Sequence, residues 1–133
     1  MTKQEIFDIV AKHLLTQNCK ALGLDGRCSY RGDAGTKCAV GILISDEEYY
    51  PEMEGFNVTG IKLPDRLLPH IDFLTRLQII HDGCNVEDWE ALLLNLAKKY
   101  HLSAETLRKF QCFGNMNGCS FAVSGLEPQF SRS

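Results

Sequence analysis

The sequence has no apolar run long enough to cross a bilayer. Its longest, AVGILI and ALLLNLA, fall far short of the roughly 20 residues a spanning helix needs. It has no basic excess either: the net charge is −3 and the pI about 5.8, so nothing draws the chain toward nucleic acid. No C-x-x-C pair is present, and GDAGTK lacks the full spacing of a phosphate-cradling loop. No internal repeat or linker divides the chain. The first residues, MTKQEIFDIVAKHLL, are amphipathic and carry acids, which does not read as a secretory signal. These absences predict a cytoplasmic protein with no membrane or nucleic-acid partner and no cofactor. In a reducing compartment its six cysteines should stay mostly as thiols.

What is present fits one compact domain over 1–133, with about 120–133 as a loosely ordered tail. Hydrophobic residues at 44% and charged residues at 23% are enough to bury a core without staples. Residues 4–17 predict an amphipathic helix: Ile6, Phe7, Val10, Leu14 and Leu15 share a face, and Thr2 with Glu5 forms a capping box. His13 lies at the edge of that face. A second helix is predicted over 69–82, with Ile71, Leu74, Leu77 and His81 near one line and Gly83 after it. A third follows Asn85, with Trp89, Leu93 and Leu96 facing the core, and a fourth follows Ser103 over about 104–111. Ser45 and Glu48 predict another helix start, ended by Pro51. Around Gly32-Asp33-Ala34-Gly35 two short runs predict a β-hairpin or a tight loop. Residues 38–44 fit strand or helix equally. CSFAV, residues 119–123, fits an edge strand. The predicted class is α+β and mainly helical, with four to five helices around one core and a short β-hairpin.

Three groups of residues carry possible chemistry. A cysteine in a first helical turn near cations becomes a nucleophile when a base is at hand. That points to Cys38 beside Lys37, with His81 as base and Asp82 or Asp46 as orienter; the competing reading is a buried structural cysteine. An arginine fork beside aromatics can hold an anion and stack a base. That points to Tyr30, Arg31, Asp46, Glu47 and Tyr49 as a ligand pocket, against plain surface ion pairing. A zinc site would draw on Cys28, Cys38, His81 and Cys84, though no knuckle spacing supports it. Arg31-Gly32-Asp33 reads as turn chemistry.

The string CSYRGDAGTKCAVGILISDEEY, followed by MEG, LQIIHD and a Trp-bearing helix, resembles a group of small phage, prophage and bacterial proteins classed as a domain of unknown function. The likeness spans about Tyr30 to Leu96. It implies a small soluble cytoplasmic accessory protein that binds or inhibits a host protein, or takes a small anionic, nucleotide-like ligand. It carries over no catalytic residue. Beside this binding or inhibitory module stand two alternatives: a thiol hydrolase or transferase built on Cys38, and a small zinc domain.

Overall fold

The computed structural model describes residues 1–113, with side chains to residue 109. Four α-helices carry the fold: α1 (Lys3–Gln17), α2 (Ile71–Gly83), α3 (Trp89–Lys99) and α4 (Glu105–Phe113). The tail and the expected edge strand at 119–123 lie outside the described residues.

α1 is the central element, packed against the other three helices and the turn Gly41–Leu43. Its Ile6, Phe7, Val10, Ala11 and Leu14 are fully buried. They meet Phe73, Leu74 and Leu77 of α2 and Trp89, Leu93 and Ala97 of α3 in one core. Each large apolar side chain removed from water contributes about 1.5–3 kcal/mol, so the stripes read in the sequence are what hold the bundle. The capping box at Thr2 and Glu5 forms as expected. At the other end Asn18 adopts the left-handed conformation and donates its N–H to Leu14 O. No helix among the described residues is long and apolar enough to cross a membrane.

The fold corrects the α+β expectation. Among the described residues no strand forms, and the expected hairpin is reduced to two isolated antiparallel bridges, Leu22 with Cys28 and Arg31 with Lys37. The reason lies in where the backbone donors go, since each buried N–H must find an acceptor. Ala21 N–H donates to His81 (2.9 Å), Tyr30 and Arg31 N–H to Glu54 (2.9 and 3.1 Å), Lys37 N–H to Gln17 (2.9 Å) and Val40 N–H to Gln78 (3.1 Å). Side chains from α1, α2 and residue 54 take the groups that a ladder would have paired. The apex is a tight turn, Asp33–Gly35, with Ala34 and Gly35 at φ 59° and 75°.

Two further expectations change. Residues 38–44 form neither strand nor α-helix but a single 3-10 turn, Gly41–Leu43, with Ile42 N–H returning to Cys38 O (3.1 Å). Ser45 and Glu48 exchange both hydrogen bonds of a capping box, yet no helix follows. Pro51 disfavours helical backbone at the residue before it, and Tyr50 is extended at φ −140°.

Candidate functional site

Of the residues expected to line a ligand pocket, Asp46 and Tyr49 meet Arg31 directly. The Arg31 guanidinium donates to Gly41 O (3.2 Å) and Ile44 O (2.9 Å), pairs with Asp46 (3.3 Å) and lies over the Tyr49 ring at 5.1 Å. Tyr49 hydroxyl donates to Glu54 (2.8 Å), the carboxylate that also holds the Tyr30 and Arg31 N–H groups. Tyr30 is buried, its hydroxyl donating to Phe56 O (2.7 Å), while Glu47 is exposed. Arg31 is thus a strut that satisfies the Gly41 and Ile44 carbonyls at the 41–43 turn, with Asp46 already paired to its fork. Hydrogen bonds from a charged donor contribute about 1.5–3 kcal/mol each, in part offset by water in the truncated protein. Arg31→Ala is therefore expected to lower stability by about 2 kcal/mol, read as a shifted urea midpoint.

Cys38, His81 and Asp82 form a different arrangement from a catalytic triad. Cys38 is fully buried, and its Sγ accepts the Gly41 N–H (3.2 Å), capping the short turn. Burial pushes its thiol up to about 12. His81 is also fully buried, on the apolar line of α2. Its Nε2 accepts from Ala21 N–H, so that nitrogen carries the lone pair, and the ring proton sits on Nδ1 and is donated to Asp82. Both ring nitrogens are committed, and the ring stacks on Trp89 at 5.5 Å between centroids. Asp82 and Cys38 are linked through Gln78, which donates to the Asp82 carboxylate (3.1 and 3.2 Å) and accepts from Val40 N–H. A thiolate is the reactive form of cysteine, and this site suppresses it. In native protein Cys38 should react with iodoacetamide on the order of 100-fold more slowly than in the unfolded chain, as read by mass spectrometry of labelled peptides.

The same burial has a pH signature. Cys28 is pushed up to about 11 and Tyr49 to about 12, each mainly by burial, alongside Cys38. These groups are neutral when folded and ionise more readily when unfolded. The stability they carry is complete below their ordinary values of 9 to 10 and is lost as pH rises toward 11 and 12. Urea midpoints should fall steadily from pH 9 upward.

Metal chemistry is tested by lone pairs. Among the described residues the donors within reach of one ion are Cys28, His81 and Asp82, all within 4.8 Å of one another, without Cys38 or Cys84 from the expected zinc set. A zinc ion would need an imidazole lone pair. The Nε2 pair is held by Ala21 N–H, and Nδ1 carries the proton given to Asp82, so the three do not fit a metal without breaking the strut. Cys28, Cys38 and Cys84 are free thiols. Cys19 is disulfide-bonded, an exception to the expected thiols.

A concavity of about 720 Å³ opens beside this network. Residues 25–30 form one wall, 54–58 another, and α2 the third through Thr75, Gln78, Ile79 and Asp82. Of its lining residues Tyr30 and Gln78 are buried, whereas Phe56 and Ile79 are 60% and 57% exposed. The half-buried Cys28 lies in this wall. The sequence reading missed Glu54, Gln78, Phe56 and Ile79. Ile79 had a signal, since it falls off the buried stripe of α2; Glu54 had none. Compared with protein-family models, curated proteins and solved structures, the chain gave no match.

Proposed function

We propose that this protein is a small binding module, in the accessory role its sequence resembles, and that its ligand seats in the cleft between residues 25–30, 54–58 and α2. The observation that carries this reading is the cleft itself: a concavity of ligand size whose base is held by the His81–Asp82–Gln78–Val40 chain of hydrogen bonds and whose walls keep two large apolar side chains in water. A preformed base with an unsatisfied apolar wall favours binding over reaction. A thiol enzyme lacks comparable support, because Cys38 is sealed in the core and His81 has no free lone pair.

The test is a small-molecule mixture titrated into ¹⁵N-labelled protein. Amide shifts should move together at 25–30, 54–58 and 78–83. Shifts centred instead on Arg31, Asp46 and Tyr49 would return the site to the arginine strut and overturn the reading.

A further inference from the structure

We infer that the cleft receives a basic side chain of a partner protein, a lysine or arginine flanked by a large apolar residue. The inference rests on the binding-module reading and names the class of partner for that same cleft.

The shape and the apolar wall come first. Phe56 and Ile79 both line the cleft, and each is more than half exposed. Leu24, next to the lining residue Asp25, is 95% exposed. Exposed apolar side chains thus lie both in the lining and beside it in the chain, and exposed apolar surface at a cleft marks a protein contact.

Charge then selects the partner. The lining holds three carboxylates, Asp25, Glu54 and Asp82, against one cation, Arg27, with a second, Lys20, at its edge on Asp82 O. Asp82 is 40% exposed, and its side-chain hydrogen-bond donors are the Gln78 amide and the His81 ring, with no lysine or arginine on the carboxylate among the described residues. α2 also ends at this wall, at Gly83, and a helix C-terminus presents carbonyls that favour cations. The chain already uses that preference: Lys20 Nζ donates to Asp82 O (3.2 Å). A cation with an apolar stem satisfies both features, its head toward Asp82 and Asp25 and its stem along Ile79 and Phe56. A phosphate or an anionic surface meets repulsion in the same place. The one fork that suited an anion, Arg31, is committed elsewhere.

The probes are three capped heptapeptides that differ at a central residue, Lys, Glu or norleucine, placed between two leucines. They are titrated at millimolar concentration into the ¹⁵N-labelled full chain at low and high salt. The Lys peptide should shift the amides of 25–30, 54–58 and 79–83 and bind at least 10-fold more tightly than the Glu peptide, with the gap closing in high salt. Asp25→Asn keeps the oxygen that accepts Arg27 N–H and should weaken the Lys peptide severalfold. Ile79→Ser, at an exposed position, should weaken the Lys and norleucine peptides alike. Equal or tighter binding of the Glu peptide, or of inorganic phosphate, at the same amides would overturn the inference while leaving the cleft as a binding site. Co-sedimentation with phosphatidylglycerol vesicles would overturn it in favour of a membrane surface. Absence of any cleft shift with all the peptides and with phosphate would remove both readings.

Discussion

Replacing His81 by alanine is expected to destabilise the protein by about 3–5 kcal/mol, a large part of the 5–15 kcal/mol that holds an ordinary domain together. The imidazole is fully buried and stacked on Trp89, so truncation leaves a cavity and removes packing from a large core side chain. It also leaves Ala21 N–H, a buried donor 60 residues away in the chain, without its acceptor, which alone costs about 1–3 kcal/mol. His81→Phe separates these terms. It keeps a ring against Trp89 but offers no acceptor to Ala21 and no proton to Asp82, and should cost about 2–3 kcal/mol. Urea denaturation of the two variants gives the comparison. If His81→Ala were nearly neutral, the strut would be misassigned. If His81→Phe matched wild type, the hydrogen bonds would contribute nothing and the residue would be a packing element alone.

Gly41→Ala is expected to cost roughly 2–4 kcal/mol. A Cβ at this position would overlap the Tyr30 carbonyl oxygen and press on the Cys38 sulfur at 3.4 Å. The first obstacle is backbone, held in place by Glu54 on the Tyr30 N–H and by Phe56 on its hydroxyl, so neither side can give. The close approach is what lets the 41–43 turn lie against the Tyr30 segment and present Gly41 O to Arg31. Gly35→Ala is the control. Gly35 sits at φ +75° with no atom within 4 Å of a built Cβ, so its penalty is conformational, about 1–2 kcal/mol. Thermal and urea midpoints should rank Gly41→Ala well below Gly35→Ala; the reverse order would mean the 41–43 turn is free to move.

The α2 stripe shows how far the candidate site could be read in the sequence. Leu74, Leu77 and His81 fall on one line, and all three are buried, so the helical period already marked His81 as a core position. Period alone does not say what the ring nitrogens meet. That was decided by Ala21 and Asp82, one of them far away in the chain, and it turned a would-be base into a strut. Arg31 tells the same story: its neighbours Asp46 and Tyr49 were expected and found, but the carbonyls of Gly41 and Ile44 that absorb its fork belong to a turn whose conformation the sequence left open.

By itself, then, the sequence determined α1, α2, α3 and α4, because apolar period and capping act within a few residues: Thr2 and Glu5 close their box and Asn18 ends α1 through local backbone geometry. Only the tertiary structure decided the fate of residues 19–45. There the local signals, two arms around a turn, favoured a hairpin, and the backbone donors went instead to His81, Glu54, Gln17 and Gln78. A local pattern sets which hydrogen bonds a segment can make with itself. Packing against the helices set which acceptors were closer.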